Sequence, residues 1–183
     1  MTTSLRLNVC GIDDFLDIQR MGSPAGRVNP RPLALRPLLE RAVFTVRDSA
    51  AHRLVLEAPD DLPEVEADED RILQVLANLL SNALKYSPEG GDVHLFARAA
   101  ESAVEVSVSD EGLGIPPETL PHLFEKFYRI DDQDRRTIPG TGLGLAICKE
   151  IIDAHHGTIW AESAGPRRGA RFAFTLPIVA APG

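Results

Sequence analysis

The sequence predicts an α+β fold, a two-layer α/β sandwich in which helices cover one face of a mixed, mostly antiparallel sheet. Two observations predict it. Two long segments, 68–86 and 141–155, carry apolar residues at helical spacing. Two further segments, 93–99 and 104–110, alternate in polarity across a short turn, which indicates adjacent antiparallel strands. A mixed order of helices and antiparallel strands is typical of such a sandwich.

The predicted elements start after an N-terminal linker. Residues 12–21 are amphipathic, and the glycines and proline of residues 22–26 predict the linker. We therefore divide the chain into residues 1–26, one folded domain over 27–179, and a tail over 180–183. The elements predicted inside the domain are a helix over 35–51, a strand over 53–58, the helix over 68–86, the strands over 93–99 and 104–110, a charged glycine-rich region up to Gly140, the helix over 141–155, and strands over 158–163 and 170–176.

Composition limits the classes of function. With 183 residues, of which 44% are hydrophobic, the chain can bury roughly two thirds of its unfolded surface in one core. The net charge of -8 argues against nucleic acid as a partner, because phosphate neutralisation needs clustered Lys and Arg. Cys10 and Cys148 form no paired ligand spacing. No apolar run is long enough to span a membrane, so we expect a cytoplasmic location without membrane contact from these residues, while a longer parent protein can be anchored elsewhere.

The helix over 68–86 has two distinct faces. At about 100° per residue, apolar side chains fill one face and a polar row runs beside it. An asparagine amide oxygen can hold Mg²⁺ without quenching its charge, so Asn82 is the predicted metal ligand. Lys85 can add a positive charge near a phosphate, and Tyr86 can lie against a base. Taken alone, such a row is more often a solvated helix face. The apolar face comprises Ile72, Val75, Leu76, Leu79, Leu80 and Ala83, and the polar row Gln74, Asn78, Asn82 and Lys85.

A carboxylate and two glycines follow the strand over 104–110. Alternation along this strand places Asp110 on the same inward side as its valines, where an unpaired carboxylate is costly. The exocyclic amine of adenine is a suitable donor for it. Gly112 and Gly114 let a flat ligand approach the backbone, and Ile115 is expected in the pocket wall. The alternative is an ordinary turn aspartate, which is common.

A glycine-rich loop opens the helix over 141–155. Unpaired N–H groups at such a helix start attract phosphate, and glycine permits close approach, although a lone glycine loop more often serves only a turn. Before it, the segment from Tyr128 to Pro139, called here the lid segment, is rich in charge and has almost nothing to bury. We expect it to be mobile without ligand. The residues of the loop are Gly140, Thr141, Gly142, Leu143 and Gly144.

Four signatures now stand in one order: Asn78-x-x-x-Asn82, Asp110-x-Gly112-x-Gly114, Phe124-x-x-Phe127 and Gly140-Thr141-Gly142-Leu143-Gly144-Leu145. This order resembles the catalytic and ATP-binding domain of sensor histidine kinases, from about Val65 to Pro177. The resemblance implies the Bergerat-type ATP-binding fold, shared with gyrase, mismatch-repair ATPases and a heat-shock chaperone, and it implies ATP and Mg²⁺ as ligands.

The resemblance also implies roles for individual residues. Asp110 reads the adenine amine, and Arg129, at the base of the lid segment, reaches the γ-phosphate. Asn78 stands where related ATPases carry a glutamate that activates water, and an amide cannot serve as a general base, so ATP hydrolysis should be slow. Lys126 is expected among the ATP-binding residues. Phe124 and Phe127 would couple the lid to the acceptor helix, although core packing is an equally good interpretation of both.

A complete histidine kinase carries its acceptor histidine on a dimerisation hairpin. His52, His94, His122, His155 and His156 lie in no such sequence context, and the last two end a helix, where a cation favours the dipole. Residues 12–21 resemble the last turns of the hairpin, so we expect the phosphoacceptor domain to be a separate partner, with a response regulator downstream. Two alternatives stay open: a serine kinase of the anti-sigma type, and an ATP-sensing module that transfers nothing.

Overall fold

The structure is a computed structural model and describes residues 28–46, 51–138 and 140–179. Its helices are α1 (Leu35–Val46), α2 (Glu69–Lys85) and α3 (Gly144–Ala154), with a 3₁₀ turn at Pro117–His122. Its strands are β1 (Arg31–Leu33), β2 (His52–Glu57), β3 (Val65–Ala67), β4 (Gly91–Ala99), β5 (Ala103–Asp110), β6 (Ile159–Glu162) and β7 (Ala170–Pro177).

The main sheet has the order β2-β4-β5-β7-β6. The β2–β4 pair is parallel, whereas β4–β5, β5–β7 and β6–β7 are antiparallel. A separate two-stranded sheet joins β1 to β3. The predicted α+β class and the mixed, mostly antiparallel sheet are therefore confirmed.

The core lies between the sheet and helix α2. The predicted apolar face of α2 is buried in full, and so are Val104, Val106 and Val108 of β5. Helix α2 contacts both α1 and α3, so the three helices form one layer. The 3.6-residue period of α2 thereby fixes which of its side chains border the cavity described below, because the buried face leaves one polar row at its edge.

The start of α2 is tied to the end of α3 by His155. The side chain of Asp68 caps α2 by accepting from the Arg71 backbone N–H, and the Asp68 N–H donates to Nε2 of His155 at 2.9 Å. Nδ1 of His155 lies 2.7 Å from the carbonyl oxygen of Ile151 and donates to it. Both ring nitrogens of His155 therefore have hydrogen-bond partners within the fold. The role is structural, as expected, because the ring is buried.

The observed elements differ most from the predicted ones at three places. In the described residues α1 ends at Val46, and Ala51 lies in a turn instead of in the helix. Helix α3 begins at Gly144 instead of residue 141, because the glycine loop precedes it. Strands β1 and β3 were not predicted, since three residues are too few to display an alternating pattern.

Some predicted segments lie outside the described residues. These are the amphipathic stretch, the linker and the tail over 180–183. Within the described ranges, no helix is both long and apolar enough to cross a bilayer.

Candidate functional site

A large cavity opens between the polar row of α2, the end of β5, the lid segment and the start of α3. It encloses about 1030 Å³ of space that opens to solvent, a size typical of small-molecule sites. Of the sequence-predicted site residues, all but Gly112, Lys126 and Leu143 line it. The lining residues on the predicted list are Asn78, Asn82, Lys85, Tyr86, Asp110, Gly114, Ile115, Arg129, Gly140, Thr141, Gly142 and Gly144.

The polar row of α2 forms one wall. Asn78, Ser81, Asn82 and Lys85 are half-buried along this wall, one helical turn apart or adjacent. Asn78 lies against the start of α3, since a Cβ added to Gly144 would be 3.4 Å from Asn78 Oδ1. In the described part of the chain, no three His, Cys, Asp or Glu side chains cluster as metal ligands. A divalent cation here would therefore be bound by amide oxygens of the protein and by oxygens of the small molecule in the cavity, a set that suits Mg²⁺.

Asp110 supplies a half-buried carboxylate at the end of β5. Its Oδ1 accepts from the Gly112 backbone N–H at 2.9 Å and from the Ser87 hydroxyl at 3.5 Å. Burial raises the pKa of Asp110, and hydrogen bonds from Gly112, Ala170 and Ser87 together with the charge of Arg135 oppose that rise. The cavity thus contains a carboxyl group whose charged form is disfavoured by burial and favoured by its hydrogen bonds.

Gly112 and Gly114 permit close packing of protein segments. A Cβ on Gly112 would lie 2.1 Å from the carbonyl oxygen of Tyr86, and Gly112 does not line the cavity. A Cβ on Gly114 would lie 2.1 Å from the carbonyl oxygen of Gly165, and its φ is 66°. At both positions the missing Cβ permits backbone-to-backbone packing. Gly114 also lines the cavity, so approach of a flat ligand there stays a prediction.

The glycine loop leads into α3 with no side-chain cap. The N-cap residue Leu143 makes no capping hydrogen bond and is buried in the core, which explains why it does not line the cavity. Gly142 has a φ of 74°, and a Cβ there would lie 2.8 Å from the backbone of Phe127. A helix start without a cap, bordered by glycine, is suited to an anion.

The phenylalanine signature joins this loop. The Phe127 N–H donates to the carbonyl oxygen of Gly142 at 2.9 Å. Phe124 packs partly against the core, but Phe127 is 72% exposed with a φ of 64°, so a core role for Phe127 is wrong. Lys126 pairs with Glu150 at 2.7 Å on the surface and lies outside the cavity lining.

The lid segment borders the cavity through four residues, of which two are arginines with backbone partners. Arg129 donates to the carbonyl oxygens of Ile138 at 2.7 Å and Gly140 at 3.0 Å. Arg135 is buried, pairs with Asp132 and donates to the carbonyl oxygen of Gly114. The expectation that this segment buries almost nothing is therefore wrong at Arg135; its mobility stays a prediction.

Sequence reasoning missed the loop between β6 and β7, residues 163–169. Ser163 Oγ accepts from the Ile115 N–H at 3.0 Å, and the Arg167 N–H donates to the carbonyl oxygen of Leu113 at 2.6 Å. The loop thereby holds the segment after Asp110 in position. Its glycines between two strands were the available signal. Further lining residues that were missed are Ser81, Leu123, Tyr128, Ile130, Arg135, Leu145, Ala170 and Phe172.

An anion-suited helix start and a half-buried carboxylate on one cavity in an α+β sandwich are typical of a nucleotide-binding domain. The chain belongs to the family described as Histidine kinase-, DNA gyrase B-, and HSP90-like ATPase, which matches residues 67–180. Its similarity to sensor histidine kinases is extensive: it is 50% identical over 170 residues to the sensor histidine kinase WalK of Bacillus subtilis, covering 91% of this chain and 28% of that protein.

Solved structures agree with this family. ShkA in complex with AMPPNP has a TM-score of 0.78 and 30% identity, covering 94% of this chain and 36% of that one. The histidine kinase ThkA in complex with the response regulator TrrA has a TM-score of 0.75 and 27% identity, covering 92% of this chain and 47% of that one. The chain spans less than half the length of the curated relatives WalK and SasA. The matched region is thus the ATPase domain of a sensor histidine kinase.

Proposed function

We propose that this domain binds Mg-ATP in the cavity and transfers the γ-phosphoryl group to a histidine on a separate dimerisation hairpin. The observation that carries the proposal is the convergence of the α2 amides, Asp110, Arg129 and the glycine loop on one cavity. ShkA, a structural neighbour of this chain, has been solved with the ATP analogue AMPPNP, which supports ATP as the ligand.

Each wall has a proposed role. Asp110 accepts a hydrogen bond from the adenine amine, and Tyr86 and Ile115 border the base. Backbone N–H groups of the loop over 140–144 bind the phosphates, with Lys85 adding charge. Arg129 stabilises the charge that develops on the γ-phosphoryl oxygens during transfer.

Asn82 is the proposed ligand of Mg²⁺, with Asn78 beside it. When bound, Mg²⁺ neutralises charge on the phosphate oxygens. Asn78 carries an amide where a water-activating base would be needed for hydrolysis, so the γ-phosphoryl group is kept for an acceptor that brings its own nucleophile. The acceptor imidazole nitrogen forms the new bond to phosphorus as the bond from phosphorus to the bridging oxygen breaks, and ADP is released.

The acceptor is proposed on another domain because no histidine of this chain faces the cavity. All five histidines lie in the described residues and none is part of the cavity lining. We infer that residues 1–26 are the end of the hairpin and its linker, that 27–179 form the catalytic domain and that 180–183 are a tail. A response regulator is the proposed downstream partner, by analogy with ThkA and TrrA, and the proposed location is cytoplasmic.

The experiment combines the purified chain, γ-labelled ATP and a hairpin domain that carries a histidine acceptor. We expect label on the hairpin that acid removes and base preserves. Two controls should leave the hairpin unlabelled. In one, glutamine replaces the acceptor histidine of the hairpin; in the other, the Asn82→Ala variant replaces the unchanged chain. Label that survives acid and is lost in base would instead identify a serine kinase, and binding of ATP without transfer to any hairpin would identify a sensing module.

A further inference from the structure

The lid segment is held at two separate points by two arginines. Arg129 is exposed and binds the backbone at Ile138 and Gly140, beside the glycine loop. Arg135 is buried and binds the backbone at Gly114, beside the end of β5. The Arg129 guanidinium therefore joins the two ends of the lid segment to each other beside the glycine loop, whereas the Arg135 guanidinium fastens the middle of the segment to the cavity wall beside Asp110.

The surroundings of Arg135 are those of a fixed side chain. Asp132 forms an ion pair with its guanidinium, and the Arg135 N–H donates to Asp132 Oδ1 at 2.9 Å. Cζ of Arg135 lies 5.9 Å from the centre of the Tyr86 ring, within the range of a cation–π contact. A buried guanidinium with a carboxylate, a carbonyl and an aromatic ring as neighbours loses strong, charge-assisted contacts when it is removed.

A second contact supports the same attachment. Arg167, in the loop between β6 and β7, lies 3.1 Å from Asp134 of the lid segment. That loop also carries Gly165, which packs against Gly114. The middle of the lid segment is thus joined both to the segment after Asp110 and to the loop that supports it.

We propose that Arg135 is a positioning residue that fastens the lid over the base-binding end of the cavity and sets how long a nucleotide stays bound, whether or not it has a γ-phosphate. This inference rests on the proposed function, since it takes the cavity to be the ATP site. Arg129, beside the glycine loop, keeps the role at the γ-phosphate proposed above, so its loss should affect ATP and its analogues more than ADP.

Neighbouring Arg136 provides a matched control. It is next in the chain and has the same side chain, but its side chain is 67% exposed and its partner Asp131 is 81% exposed. It does not line the cavity. Substitution of Arg136 therefore removes the same charge from the same segment without removing the attachment to Gly114.

The test compares Arg135→Met, Arg136→Met and Arg129→Met with the unchanged protein. Dissociation of ribose-labelled fluorescent ADP and AMPPNP, both with Mg²⁺, is measured by stopped-flow displacement. We expect Arg135→Met to accelerate dissociation of both nucleotides by the same factor, about tenfold, which corresponds to the loss of one net hydrogen-bonded contact. Arg136→Met should stay within about twofold of the unchanged protein. Arg129→Met should accelerate dissociation of AMPPNP more than dissociation of ADP.

Each other outcome is decisive. If the unchanged protein binds neither nucleotide, the proposed function fails. If it binds both and Arg135→Met behaves like Arg136→Met, the role of Arg135 is overturned. An effect of Arg135→Met on AMPPNP alone also overturns it, because that result assigns Arg135 to the γ-phosphate. Should the methionine variant fail to fold by circular dichroism, Arg135→Lys, which keeps a donor for Gly114, takes its place with a smaller equal effect expected on both nucleotides.

Discussion

Asp110 is the residue at which stability and binding oppose each other. Because burial raises its pKa, the stabilisation associated with this group is fully present below the unfolded value of 3.8 and is lost as pH rises through the folded value. Above the folded value the carboxylate is charged, and the ligand-free protein is less stable by this group's contribution than it is in acid. A ligand that donates a hydrogen bond to this carboxylate, as the adenine amine does, would offset the cost of burying it.

We predict that Asp110→Asn separates these two effects. The ligand-free variant should unfold at the same or a higher temperature than the unchanged protein at pH 7, because the half-buried carboxylate is replaced by a neutral amide. Its affinity for Mg-ADP should fall by at least tenfold, since hydrogen bonds to charged groups contribute about 1.5 to 3 kcal/mol. Thermal unfolding and calorimetric titration measure both quantities.

Asp60→Asn is the control for this substitution, because Asp60 is 93% exposed and forms only a surface pair with Arg36. It should change neither quantity. A lower unfolding temperature for Asp110→Asn together with unchanged ADP affinity would contradict the proposed role of Asp110.

At the scale of elements, the cavity depends on loops that touch one another through glycines. Gly114 combines a φ of 66° with a carbonyl oxygen only 2.1 Å from where its Cβ would lie. Gly140, in the glycine loop, has no atom within 4 Å of the equivalent position. The first glycine is required by packing, whereas the second is free of that constraint.

We therefore predict that Gly114→Ala destabilises the ligand-free protein by roughly 1 to 3 kcal/mol, through left-handed strain and displacement of the loop over 163–169. Gly140→Ala should change the free energy of unfolding by no more than about 0.5 kcal/mol. The midpoints of urea unfolding compare the two. Equal midpoints would mean that the loop over 163–169 moves aside at no cost.

The open face of the sheet has its own charged network. Glu105 of β5 is buried there between Arg98 of β4, at 2.7 Å, and Arg171 of β7, which also reaches Glu162 of β6 at 3.1 Å. Hydrogen bonds from Arg98 and then Arg171 lower the pKa of Glu105, although burial opposes them. Four adjacent strands are thereby connected by side chains as well as by backbone.

The lowered pKa of Glu105 predicts acid sensitivity of this network. Its stabilisation is present above the unfolded value of 4.5 and is lost as pH falls through the folded value. Glu105→Gln should lower the free energy of unfolding at pH 7 by about 1 kcal/mol, because both arginines stay partly hydrated. Urea unfolding from pH 7 to pH 3 should then show the two proteins converging in acid. A constant difference across that range would rule out this titration.

At the scale of the whole molecule, sequence reasoning succeeded where local periodicity carries the information. Helical spacing identified the wall formed by Asn78, Asn82 and Lys85, and strand alternation identified Asp110. It failed where a contact joins distant parts of the chain. The residues around Arg135 in the sequence do not predict its contact with Gly114, and those around Ser163 do not predict its contact with Ile115. Such contacts form only after the sheet has brought the segments together.

The same long-range construction makes nucleotide binding a test of the entire fold. Helix α2, the end of β5, the lid segment and the start of α3 meet only in the folded chain, so a ligand of the cavity binds the folded state and stabilises it. Mg-ADP at a hundredfold excess over its dissociation constant should raise the free energy of unfolding by about 2.7 kcal/mol. Chelation of Mg²⁺ should reduce this gain at the same nucleotide concentration. In the Asn82→Ala variant, chelation should have little further effect, because the proposed metal ligand is already gone.

Mg-GDP should stabilise the protein much less than Mg-ADP, since guanine offers Asp110 no equivalent amine. Equal stabilisation by the two nucleotides would remove Asp110 as the adenine-reading residue, and no stabilisation by either would remove the cavity as a nucleotide site.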